Sequence, residues 1–106
     1  MTFPHRDLLG LRFLSASEIQ LILDQAKSLK EVFARPNKQM PTLRGKTILT
    51  LFFEPSTRTR ASFDMAIKLM GAGSMGISVE NSSVKKGESL FDTVKNLEAM
   101  GIDAII

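Results

Sequence analysis

The chain has 106 residues, 43% apolar and 24% charged, a balance that suits a globular domain with one modest core. It contains no cysteine, which excludes a disulfide framework, a thiolate nucleophile and any cysteine-ligated metal. The net charge of +3 is small, the basic residues are spread from Arg6 to Lys95, and Trp and Tyr are absent, so no nucleic-acid surface is expected. An anionic small-molecule substrate fits the basic surplus equally well. No apolar run is long enough to span a bilayer, so no membrane partner is expected. Met1 to Asp7 lacks the form of a secretory signal, and a cytoplasmic setting is the expectation.

Residues 1 to 16 read as an irregular arm. Ser17-Glu18-Ile19-Gln20 has the form of a capping box, and Ile19, Ile22, Leu23, Ala26, Leu29 and Phe33 then recur at helical spacing. Pro36 closes this helix near Ala34. Residues 35 to 45, with Pro36, Pro41 and Gly45, read as a loop. Lys46 to Phe53 is nearly continuous in apolar character, as expected for a central strand covered on both faces. A helix from about Thr57 to Met70 follows, ended by Gly71. Gly76 to Val79 reads as a second strand, Asn81 to Gly87 as a polar loop, Ser89 to Met100 as a third helix, and Asp103 to Ile106 as the start of a third strand. Strands alternating with helices imply an α/β fold with a parallel sheet and flanking helices. Ending on an apolar strand, the chain is expected to be a piece of something longer, with an open sheet edge and marginal stability or self-association on its own.

The segment richest in chemistry is Phe52-Phe53-Glu54-Pro55-Ser56-Thr57-Arg58-Thr59-Arg60-Ala61-Ser62-Phe63. In a parallel α/β sheet, ligands bind beyond the carboxyl ends of the strands, where this segment falls. There the helix presents unpaired N–H groups and the positive end of its dipole. Ser56, Thr57 and Thr59 add hydroxyl donors, and Arg58 adds a bidentate fork, which together form a socket for a phosphate or similar dianion. A serine or threonine by itself would be only a helix cap. Two arginines in the first turn oppose the dipole, so an anion is expected to compensate them.

The loop Asn81-Ser82-Ser83-Val84-Lys85-Lys86-Gly87-Glu88-Ser89 follows a strand and so shares that sheet edge; alone it would be an ordinary surface loop. Gly45-Lys46-Thr47 mimics the tail of a P-loop, but Met40 stands where that motif needs glycine, and the segment opens a strand instead of following one. His5 is the only histidine, so neither a histidine metal site nor a Ser-His-Asp triad has support, and no metal is expected. Met65, Met70, Met75 and Met100 read as core filler.

Phe52 to Phe63, with Ser78 to Ser89 and Asp92-Thr93, resembles the aspartate carbamoyltransferase family. The Ser-Thr-Arg-Thr-Arg run belongs to carbamoyltransferases generally, while Glu54-Pro55 and the Lys-Lys-Gly-Glu loop favour the aspartate enzyme over the ornithine enzyme. The resemblance implies an incomplete, Rossmann-like carbamoyl-phosphate-binding domain over residues 1–106, with the aspartate-binding domain absent from this chain. It further implies carbamoyl transfer from carbamoyl phosphate to L-aspartate, giving N-carbamoyl-L-aspartate and phosphate in pyrimidine synthesis. No cofactor or covalent intermediate is implied.

By the matching motif, Ser56, Thr57, Arg58 and Thr59 would hold the phosphate, and Thr59 also the carbonyl oxygen. Ser82 and Lys86 would reach a neighbouring subunit's site in a homotrimer with shared active sites, Lys86 touching both phosphate and aspartate. Arg58, Thr59 and Lys86 are the implied catalytic residues, and Glu54 an implied interdomain contact. Regulatory or dihydroorotase-like chains are partners that the resemblance leaves open. Family members continue with an Arg-His pair, a further histidine and glutamine, and a whole second domain, so this chain is expected to be inactive alone. The alternatives are a transcarbamoylase for ornithine or a related amine, whose cationic substrate Lys85-Lys86 disfavours, and a non-catalytic anion-binding module of the same fold.

Overall fold

The computed structural model describes residues 3–37, 40–53, 55–78 and 89–106. The chain divides into two units, Met1–Lys38 and Gln39–Ile106.

The first unit is the arm and helix α1, Ala16–Phe33. The cap is Ser15, two residues ahead of the expected Ser17: its hydroxyl accepts from the Glu18 amide at 3.2 Å. The capping box is therefore Ser15-Ala16-Ser17-Glu18, which has the same Ser-x-x-Glu spacing that the sequence requires of such a box. Glu18 also receives the His5 ring Nε2 at 2.5 Å, which ties the arm to the start of the helix. That hydrogen bond outweighs partial burial and, with help from Ser15, holds the Glu18 carboxyl below its usual 4.5. The helix ends at Phe33, with Ala34 as its C-cap, as Pro36 required.

The second unit is a sheet of three strands, β1 (Thr47–Phe52), β2 (Gly73–Ser78) and β3 (Ala104–Ile105), in the order β2-β1-β3 and parallel throughout. Helix α2 (Thr57–Leu69) joins β1 to β2, and α3 (Leu90–Ala99) joins β2 to β3. The second connection passes back over β1, so right-handed crossovers place α2 and α3 on opposite faces. Covering on both faces explains why consecutive residues of β1 are buried: Ile48 is 8% exposed, Leu49 0% and Thr50 2%.

The strand ends are pinned at one level. Gly73 donates to the Lys46 carbonyl at 2.8 Å, Asp103 to the Thr47 carbonyl at 2.9 Å, and Asp103 Oδ2 accepts from the Thr47 amide at 2.8 Å. Gly71 turns the chain out of α2 at φ +79°, as its position after the helix predicted. The expectation for β2 was too short, since pairing begins at Gly73 and not Gly76, while Val79 lies outside the described residues. Near the start of the second unit, Pro41–Leu43 forms a single 3₁₀ turn within the expected loop.

Glu18 gives a pH-dependent test. Because its folded pKa is lowered, its contribution to stability is complete above 4.5 and vanishes as pH falls through the folded value. Glu18→Gln should melt below the wild type at neutral pH, and the gap should close under acid. A gap of the same size at every pH would contradict the pairing.

Candidate anion-binding site

β1 ends at Phe52, and α2 begins at Thr57, with Ser56 as its N-cap residue. The start of α2 therefore lies at the carboxyl edge of the central strand. In the order β2-β1-β3 the direction of chain progression reverses at β1, and sheets of this kind bind ligands beyond the carboxyl edge at such a reversal.

The three helix starts make an informative set, because each has a serine cap. Ser15 and Ser89 are extended and accept from the amides of Glu18 and Asp92, at 3.2 and 3.1 Å. Each of those helices also carries an acidic residue in its first turn. Ser56 differs in every respect. Its φ of −115° and ψ of 81° give no side-chain capping bond, and the first turn of α2 has no acid. The first backbone bond of α2 runs from the Arg60 amide to the Ser56 carbonyl at 2.9 Å, which leaves the amides of Thr57, Arg58 and Thr59 ahead of the helical ladder. Thr57, Arg58 and Thr59 are exposed, and Arg58 makes no ion pair among the described residues. Among the described residues, the leading amides, the serine hydroxyl and the Arg58 guanidinium of this one helical turn have no partner. Chemically this is a receptor for an oxyanion.

The structure corrects one part of the sequence argument. The two arginines were expected to share the need for an anion, but Arg60 has intramolecular company. Its Nε lies 3.9 Å from Asp64 Oδ2, one turn along, and its guanidinium rests against Gly76 of β2. Among the described residues, Arg58 alone of the two arginines faces the dipole without an acidic partner. Ser82 and Lys86 lie outside the described residues, as do Glu54 and the rest of 79–88. Thr93, just after that loop, is 6% exposed and donates to the Ser89 carbonyl at 3.1 Å, a bond that secures the start of α3. Gly45 sits at φ +83° ahead of β1, which agrees with its rejection as part of a P-loop. Two hollows in the first unit, one lined by Phe3, Leu21, Ile22 and Leu29 and one by His5, Leu9, Phe13 and Leu14, include none of residues 56–60. Among the described residues no group of three or more histidine, aspartate or glutamate side chains could hold a metal, and no helix is long and apolar enough to cross a membrane.

Comparison with known proteins identifies the family. Residues 6–106 match the family described as aspartate/ornithine carbamoyltransferase, carbamoyl-P binding domain. The chain belongs to that family. It is 57% identical over all 106 residues to the aspartate carbamoyltransferase catalytic subunit of Moorella thermoacetica, covering 34% of that protein. Among solved structures it resembles the catalytic subunit of M. jannaschii aspartate transcarbamoylase, with a TM-score of 0.83 and 36% identity over 95% of this chain and 33% of that one. It also resembles ornithine carbamoyltransferase from Pyrococcus furiosus, with a TM-score of 0.80 and 37% identity over 94% of this chain and 31% of that one. The chain thus spans about a third of the length of the relatives it matches. Its three-stranded parallel sheet with helices is a partial carbamoyl-phosphate-binding domain.

The sequence did not single out Thr50, whose buried Oγ1 has no hydrogen-bond partner among the described residues. A threonine inside an otherwise apolar strand was the available signal. An orphaned hydroxyl of this kind costs stability, so Thr50→Val should raise the unfolding free energy by about 1 kcal/mol. The check is the thermal midpoint of the full-length protein without ligand, and a lowered midpoint would show that the hydroxyl is satisfied after all.

Proposed function

We propose that this chain is the N-terminal part of the carbamoyl-phosphate-binding domain of a cytoplasmic aspartate carbamoyltransferase, which works as a homotrimer of catalytic chains. The observation that carries the reading is the 57% identity over all 106 residues to an aspartate carbamoyltransferase catalytic subunit, together with the uncapped Ser56–Arg60 turn at the carboxyl edge of β1. Fold similarity alone leaves the second substrate open, because an ornithine enzyme is as similar in structure as an aspartate enzyme.

In the proposed reaction the α-amino nitrogen of L-aspartate attacks the carbonyl carbon of carbamoyl phosphate. A C–N bond forms, the bond from carbon to the phosphate oxygen breaks, and phosphate leaves as the nitrogen gives up a proton. Negative charge grows on the carbonyl oxygen and on the departing phosphate. In this reading half-buried Ser56 and exposed Thr57, Arg58 and Thr59 meet that charge with donors already in place, which is the term that lowers such barriers most. Arg58, with no internal ion pair among the described residues, is available to neutralise the leaving group. Thr59 takes the carbonyl oxygen in this reading. Ser82 and Lys86 complete the site of a neighbouring subunit, Lys86 serving both phosphate and aspartate.

Two experiments on the full-length protein test this. Given carbamoyl phosphate with aspartate and ornithine together, it should carbamoylate aspartate alone; turnover of ornithine would keep the phosphate socket and reassign the lysine loop. Arg58→Ala should lose roughly 3–4 kcal/mol of transition-state stabilisation. Mixed with equally inactive Lys86→Ala chains, it should regain activity in hybrid trimers, since each hybrid contains a site with neither substitution. Mixed trimers that form and remain inactive would refute the sharing of sites.

A further inference from the structure

Arg60 stands where a helix facing a sheet ordinarily carries an apolar side chain. The α2 stripe that meets the sheet runs Arg60, Phe63, Ile67: Ile67 is 3% exposed, and Phe63 meets Phe52 edge-on at 6.4 Å between ring centroids. Residue 76 makes room for the guanidinium by being glycine. A Cβ on Gly76 would overlap Arg60 Nη2 and lie 3.2 Å from Cζ and 3.3 Å from Thr50 Oγ1. Gly76 is not at positive φ, so its backbone conformation does not demand glycine; the contact does. Thr50, its register partner, turns its unpartnered hydroxyl to the same spot. Asp64 Oδ2 lies 3.9 Å from Arg60 Nε, a half-exposed ion pair that adds little by itself.

The same residue closes the first turn of the helix, because the Arg60 amide makes the first backbone bond of α2, to Ser56. A first turn without a side-chain cap and with its leading amides unpaired is otherwise prone to fray. We propose that Arg60 is a positioning residue: its guanidinium, laid across Gly76, clamps the uncapped first turn of α2 to β2 and so fixes the donors of Ser56–Thr59 for an oxyanion. This rests on the phosphate-binding reading of that turn. Gly76, on a different element from the socket, is then a requirement of anion binding.

The test is a double-mutant cycle in the full-length protein, read by the dissociation constant for inorganic phosphate and by the separate KM values for carbamoyl phosphate and aspartate. Gly76→Ala should weaken phosphate binding and raise the carbamoyl phosphate KM about tenfold, as a displaced donor array does, with the aspartate KM at saturating carbamoyl phosphate unchanged. Adding Gly76→Ala to Arg60→Ala should cost nothing further, because the overlap has gone. Arg60→Lys keeps the charge without the planar fork and should lose most of the same affinity. If Gly76→Ala does not fold, the Arg60→Lys result decides. Additive losses, or wild-type phosphate affinity in Arg60→Lys, would overturn the clamp alone. A wild-type protein that binds no phosphate would overturn the socket and the clamp with it.

Discussion

Leu49 has no exposed surface, and both ladders of the sheet pass through it: it pairs with Met75 on one side and Ile105 on the other. Its carbonyl accepts from the Ile106 amide at 2.8 Å, and Leu51 donates to the Ile106 carbonyl at 2.8 Å. A one-residue slip would send every β1 side chain to the opposite face, taking Phe52 away from Phe63 and Thr50 away from Gly76. Fixing β1 fixes the point where it ends. Only residues 53–56 separate that end from α2, so the position of the helix start is inherited from the register of the sheet.

The free energy given up at that helix start is visible by comparison within the molecule. Ser15 with Glu18 and Ser89 with Asp92 show how this chain builds a helix start that satisfies itself. In both, a hydroxyl caps an amide and a carboxylate meets the dipole. α2 forgoes both and places Arg58 in the unfavourable position. The first turn of α2 depends instead on contacts made further along, where Phe63 and Ile67 pack and Arg60 crosses Gly76. Stability is supplied by the sheet-facing stripe, which leaves the first turn open to a ligand.

Much of this was legible in the sequence. The apolar run of β1, the glycine after α2, the serine ahead of α3 and the placement of the Ser-Thr-Arg-Thr-Arg segment at a strand-to-helix corner each have a strong local cause. Where sequence reasoning missed, two local signals competed. Ser15 and Ser17 both stand near the start of α1, but Ser17 lies inside the helix and only the Ser15 spacing lets Glu18 reach back to it. The beginning of β2, Gly73-Ser74-Met75-Gly76, has too little apolar alternation to read as a strand, because its identity comes from hydrogen bonds to β1 and from the need for a smooth surface under α2. Arg60 looks like a second socket arginine until the fold sets it against β2. That distinction is tertiary, since it depends on a glycine in another strand.

The pairing distances along the chain also set what each ladder costs to close. Thr47 pairs with Gly73, whereas Ile48 pairs with Ala104, so the β1–β3 ladder closes a loop about twice as long as the β1–β2 ladder. Each doubling of a closed loop costs about 0.6 kcal/mol of chain entropy. On loop length the β1–α2–β2 pairing is the cheaper of the two to close, and the strand-to-helix corner that bears the oxyanion donors lies within that more local segment.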